Sequence, residues 1–267
     1  LTRVNQPKKT QYAGLSAYFD YGNASVPISQ VTPLPASQLQ IIAQTNVDRA
    51  SNQIDLVLDT DVYQNEVALL SQELQTALDY VQQRTAIQLN GRIKVIISQD
   101  ESCGFHGITY SDARVIYIYS CAGIPRSRVV NIAAHEFVHQ LEQDRYGEPH
   151  LNADLVLSEG FATWGAGEYW LGGNPDFATF ARNYRASGQA LPLGTHYANV
   201  GIGGMNVLYY QWASFVDYLL RTYGRESFDA LYVSGGARQP GGANYPAVYG
   251  KTFATLEIEW QNSLEVR

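Results

Sequence analysis

Apolar positions along the chain follow first a mixed pattern and then a purely helical one. From Gln53 to Leu58, QIDLVL alternates as a strand with one buried face does. Val67, Leu70, Leu74, Leu78 and Val81 recur at spacings of three and four, which predicts a helix between about Tyr63 and Gln83. The β-branched run RIKVIIS, Arg92 to Ser98, reads as a central strand. Two further β-rich runs flank the turn residues Ser111, Asp112 and Ala113 and predict a hairpin. After Pro125 the period is helical, with Val129, Ile132, Ala133, Phe137, Val138 and Leu141 on the buried face. Beyond Leu151 the stretches ADLVLSEGFATWGAGEYW, MNVLYYQWASFVDYLLRTYG (stopped by Gly224) and KTFATLEIEWQNSLEV continue it. Strands first and helices afterwards predict an α+β fold with a mainly helical C-terminal half.

The first 45 residues break this order. They are rich in Ser, Pro and Gln with little periodicity, and read as an extended arm or cover. Residues 46–267 then form the main domain, α/β to about 150 and helical from 151 onward. A chain of 267 residues with 45% hydrophobic residues buries a sizeable core. Its net charge of -7 and the lack of any dense Lys/Arg run argue against a nucleic-acid partner and favour a polar or peptide substrate. No apolar segment approaches the roughly 20 residues of a membrane span. The chain starts at Leu1 rather than Met, which predicts removal of an upstream segment and a secreted or otherwise extracytoplasmic protein. The cysteines agree with that expectation: a hairpin centred on Asp112 places Cys103 opposite Cys121, close enough to form a disulfide.

The candidate chemistry lies in NIAAHEFVHQLEQ, Asn131 to Gln143. Residues four apart on a helix share a face, so His135 and His139 can present nitrogens to one ion. Glu136, turned about 100° from His135, stands beside that ion as a candidate base. A catalytic zinc site needs a third protein ligand and an open position. The pattern HExxHxxGxxH is excluded, because Glu142 and Arg145 occupy its last two fixed positions. Downstream, LSEGFATW offers Glu159, and residues 140–158 leave room for a helix to end and another to return. Small residues Gly160 and Ala162 would let the helices approach closely. Asp154 competes for the third place, but also suits the N-cap of that helix.

HEFVH followed by LSEGFATW, YYQWASFVDYLLRTYG and AVYGKTFATLEIEW resembles the gluzincin metallopeptidases, in particular the compact peptidase-MA-like group, over about Ser98 to Trp260. The resemblance implies a thermolysin-like fold, a small mixed sheet with the active-site helix, and one Zn2+ held by His135, His139 and Glu159, with Glu136 as general base. It implies a downstream tyrosine that stabilises the oxyanion: Tyr209, with Tyr210 as the alternative. It also implies that the strand Arg114 to Ser120, with Ile118 near its middle, lines the cleft by strand addition, and that GFHG with His106 forms the rim. His150 and His196 read as surface residues, and Leu171 to Gly204 as a mobile Gly-rich wall or lid. The chain departs from the wider group in two respects. It lacks the GxMEN-type anchor of aminopeptidases, which favours an endopeptidase acting on peptides or proteins, a monomer by default. Thr163 stands where some members carry an acid that orients the first histidine. A catalytically silent zinc-bearing module and an aminopeptidase with another anchor are the alternatives.

Overall fold

The computed structural model describes residues 53–100 and 106–265. The expected N-terminal arm and Cys103 lie outside the described residues, and with Cys103 the expected bridge to Cys121. Strand β1 (Ile54–Asp59) is followed by helix α1 (Val67–Thr85) and strand β2 (Ile93–Gln99). β1 and β2 pair in parallel, so α1 is the crossover that parallel pairing requires. Leu70, Leu74, Ala77, Leu78 and Val81 form its buried stripe, as the spacing predicts. Strands β3 (His106–Tyr110) and β4 (Val115–Ser120) form the expected hairpin.

The sheet order is β1-β2-β4-β3, with β4 parallel to β2 and antiparallel to β3. Among the described residues β1 and β3 are therefore the edges of the sheet. The expectation that Arg114 to Ser120 lines a cleft is corrected: β4 is hydrogen-bonded on both sides, and Ile118 is wholly buried between the sheet and the helices. The hairpin register is corrected as well. His106 faces Tyr119 and Tyr110 faces Val115, so the turn is centred between Asp112 and Ala113. The physical reason is a four-residue loop, Ser111 to Arg114, closed by the left-handed backbone of Arg114 (φ 55°).

Helix α2 (Arg126–Tyr146) follows Pro125 and packs on α1, on β3 and β4, and on α4 (Leu155–Ala166). A four-residue turn of helix, α3 (Glu148–Leu151), joins α2 to α4. Of α4 only Trp164 is not fully buried, so Ser158, Glu159 and Thr163 are enclosed together with its apolar residues. Two glycines allow this. A Cβ on Gly160 would stand 2.8 Å from the Trp212 carbonyl oxygen, and one on Gly165 2.8 Å from Val138 Cγ2. After the short α5 (Glu168–Leu171) and α6 (Phe177–Ala186), α7 runs from Gly201 to Tyr232 with a break at Gly224 (φ 81°, ψ 169°), where the sequence predicts a stop. Helices α8 (Tyr245–Tyr249) and α9 (Phe253–Ser263) close the fold.

The stretch from Leu171 to Gly204 is largely built structure rather than an open lid. Asp176 caps α6 through the Thr179 N–H, and Phe177, Ala178 and Ala181 are buried. One core extends from β1 to Leu264. Among the described residues no helix is long and apolar enough to cross a membrane.

Candidate metal centre

His135 and His139 lie one turn apart on α2, and Glu159 comes from the second turn of α4 against which α2 packs. Their ligand atoms form a triangle. His135 Nε2 is 3.2 Å from His139 Nε2, and Glu159 Oε2 is 3.4 Å from the first and 3.5 Å from the second. An ion bound tetrahedrally at about 2.0–2.1 Å from each would set such atoms about 3.3–3.4 Å apart. All three residues are buried, and Glu159 Oε2 has no hydrogen-bond partner among the described residues. An orphaned carboxylate oxygen facing two imidazole nitrogens in the interior is costly unless a cation joins them. The donor set and its spacing fit a divalent metal ion.

The remaining imidazole nitrogens are engaged from behind. His139 Nδ1 is 2.8 Å from Glu142 Oε2, and His135 Nδ1 is 3.4 Å from Thr163 Oγ1. Each contact leaves Nε2 directed at the ion position. Thr163 thus contacts the histidine that an acid would orient elsewhere in the resembling group. The His135 ring is also held between Trp170 (centroids 5.0 Å) and Tyr209 (5.8 Å, 13° between planes). Trp170 is itself fixed by its indole N–H, which donates to the Asn131 carbonyl at 3.1 Å.

Glu136 shares the interior with these groups. Thr109 Oγ1, on the edge strand β3, donates to Glu136 Oε2 at 2.6 Å, while Glu136 Oε1 has no partner among the described residues. Burial pushes the Glu136 carboxyl up to about 7, against the pull of His139 and the Thr109 hydrogen bond. Burial alone would also raise Glu159, but the two imidazoles hold it far below the usual carboxylate range. Burial lowers His135 to about 4. For His139, burial opposes the charge, yet the Glu142 hydrogen bond and the facing Glu159 carboxylate carry the imidazole well above its ordinary value. Of the two carboxylates, Glu142 meets His139 Nδ1 and Glu159 Oε2 faces His139 Nε2.

A second grouping, His139, Glu142 and His150, shares the His139 ring. The 2.8 Å from His139 Nδ1 to Glu142 Oε2 is a hydrogen-bond length, shorter than two ligands of one ion adopt. Behind the ligand, Glu142 also meets the Tyr232 hydroxyl, which lies 2.8 Å from His150 Nδ1. The reading of His150 as a surface residue is corrected: it is buried, because α3 turns it inward against α7. His196 is half-buried, and its Nδ1 accepts the Ala198 N–H.

Tyr209 and Tyr210 are separated by the helix. Tyr209 is wholly buried beside His135; burial and the nearby Glu159 charge keep its phenol protonated. Tyr210 points away, its hydroxyl donating to the Trp170 carbonyl at 2.9 Å and its ring packed on Phe180, so its expected role against substrate, as the alternative oxyanion donor, is corrected to a structural one. His106 begins β3, half-buried and stacked on Tyr119 at 4.6 Å. Asp154 is the N-cap of α4. It accepts hydrogen bonds from the N–H groups of Val156, Gly241 and Ala243 and from the Tyr245 hydroxyl, which leaves it no ligand role.

Residues that the sequence reading did not single out complete the site: Thr109, Glu142, Trp170 and Arg238. Glu142 carried a usable signal, being a charged residue three positions after His139 and so on the same helix face. Arg238 carried none; it reaches Glu159 Oε1 at 3.3 Å from a loop of the C-terminal region. No family model matches the chain, nor does any curated protein or solved structure.

Proposed function

We propose that the chain is a zinc-dependent peptidase of the gluzincin type that cuts within peptide or protein chains. One observation carries this reading: three buried ligand atoms stand in an ion-sized triangle while Glu136, next to the first ligand in sequence, keeps one carboxylate oxygen unpartnered. The mixed sheet followed by packed helices is compatible with a thermolysin-like fold. Zinc, when bound, supplies Lewis acidity that polarises a carbonyl and brings the pKa of a water to about 7.

The chain's own residues do the rest. Glu136, with Oε2 held by Thr109, takes the proton of the attacking water on Oε1 and passes it to the leaving amine. Tyr209, kept protonated by burial, is the candidate donor to the oxyanion. Edge strand β3 offers backbone groups to an extended substrate, in place of the interior β4. The absence of a GxMEN anchor, in a chain whose one methionine is Met205, favours internal cutting. An extracytoplasmic setting and the Cys103–Cys121 bridge belong to the same reading.

The test is a mass-spectrometric digest of a diverse peptide pool with wild-type, chelator-treated and Glu136→Gln protein. Internal cleavage that needs both metal and Glu136 is the expected result, with Glu136→Gln still binding one zinc. A pool left intact beside zinc-loaded wild-type protein overturns the reading.

A further inference from the structure

The two oxygens of Glu159 have different neighbours. Oε2 faces both imidazole Nε2 atoms, whereas Oε1 meets the Arg238 guanidinium at 3.3 Å. Glu159 itself is wholly buried, and the Arg238 side chain is largely so.

Arg238 is held there by a loop fastened to the helix that carries Glu159. Asp154, the N-cap of α4, accepts the N–H groups of Gly241 and Ala243 and the hydroxyl of Tyr245. Gly235 passes so close that a Cβ would stand 2.6 Å from the Asp154 nitrogen. Between these points Ala237 (φ 61°) and Arg238 (φ 49°) both adopt the left-handed backbone that non-glycine residues avoid. Strain of this kind persists only where the surroundings impose it. Here Asp154 imposes it from five residues before the ligand, and its product is the Arg238–Glu159 contact.

We propose that Arg238 is a positioning residue for the third metal ligand: by taking Oε1, it leaves Oε2 alone to face the ion. A carboxylate with both oxygens free can swing to chelate, which fills the position a catalytic site keeps open. Held by Arg238, Glu159 is restricted to one donor atom. This inference rests on the metal-centre reading above and adds to it the means by which the open position is kept.

Charge alone predicts the opposite outcome, which makes the proposal testable. A guanidinium beside a dication repels it, so on charge alone Arg238→Ala tightens metal binding. A positioning role predicts weaker binding, by about 10- to 100-fold as for other partners of metal ligands. The experiment uses the full chain, stripped of metal. Zinc affinity is measured by competition with a chromophoric chelator, and the visible spectrum is recorded after loading with cobalt(II), for wild type, Arg238→Ala, Arg238→Lys and His135→Ala. The expected result is weaker zinc binding and a weaker cobalt absorption in Arg238→Ala, as the coordination number rises. Arg238→Lys should lie between it and wild type. An unchanged cobalt spectrum in Arg238→Ala overturns the proposal alone, whatever the zinc affinity, and a changed one supports it. Should that variant fail to fold, Arg238→Lys decides, and its identity with wild type in both measurements also overturns it. Zinc binding indifferent to His135→Ala overturns the metal centre itself, and this proposal with it.

Discussion

Gly107 and Glu136 touch across the boundary of β3 and α2. A Cβ on Gly107 would stand 2.7 Å from Glu136 Cγ and 2.7 Å from Ile132 Cγ2, closer than carbon atoms pack. The glycine therefore sets the distance at which the helix bearing Glu136 lies on the edge strand, and with it the Thr109 hydrogen bond. Gly107→Ala should push the two elements apart. The expected cost is about 1–3 kcal/mol of stability, as for other overpacked sites. It should also bring a larger loss in kcat than in zinc content. Denaturant titration and metal analysis check this; an unchanged midpoint would show that the helix has slack the structure does not indicate.

Thr109→Val keeps the shape of the side chain and removes the 2.6 Å hydrogen bond to Glu136 Oε2. Burial raises the Glu136 carboxyl to about 7, and the Thr109 bond works against that rise. A base must be unprotonated, so kcat/KM falls as pH drops through the pKa of Glu136. A bound cation lowers that pKa, which places the acid limb of the wild type at or below pH 7. Losing a hydrogen bond to the charged form should move the limb upward by about one pH unit. A limb that stays in place would separate Glu136 from the proton transfer.

The order of elements and the heart of the site were legible in the sequence, and the reason is locality. The helix stripe at Leu70, Leu74, Leu78 and Val81, the pair His135 and His139, and Glu159 on the following helix each follow from spacing within a few turns. What was not legible depends on distant partners or unmarked turns. The Ser111–Arg114 loop places a left-handed residue at an arginine, with no Gly or Asn to announce it, and the hairpin centre moved accordingly. Strand β4 became interior through its pairing with β2, which no local pattern encodes. His150 was drawn inside by Tyr232, eighty-two positions away in the chain.

The two candidates for the third ligand make opposite predictions. Glu159 faces the histidines with an oxygen that has no other partner, whereas Asp154 is saturated by four hydrogen bonds. Glu159→Gln should fold and fail to bind zinc at micromolar levels. Asp154→Ala should still bind one zinc per chain, less tightly because the Arg238 loop is loosened. It should lose about 3 kcal/mol or more, through the missing cap and the buried donors left without an acceptor. Thermal melts with metal analysis separate the two, and loss of stoichiometric zinc in Asp154→Ala together with its retention in Glu159→Gln would reverse the assignment.

Glu142 tests whether the relay behind His139 matters to the metal rather than to the fold. Its Oε2 accepts from His139 Nδ1 at 2.8 Å, which fixes the tautomer whose Nε2 lone pair faces the ion. Glu142→Gln keeps the volume, but its amide can present N–H to the ring and favour the other tautomer, in which Nε2 carries the proton and cannot ligate. Zinc affinity should therefore fall about 10- to 100-fold. Without metal the variant should not be less stable than wild type, because burial already penalises the Glu142 charge, raising that carboxyl to about 7. Tyr232→Phe, which removes the hydroxyl next to His150 and one step further from the ligand, should cost less affinity than Glu142→Gln. Chelator competition on the three proteins measures the order. Equal losses from Glu142→Gln and Tyr232→Phe, or losses that track the melting temperature of the metal-free proteins, would show that the relay supports the packing of α2 against α7 and does not orient the ligand.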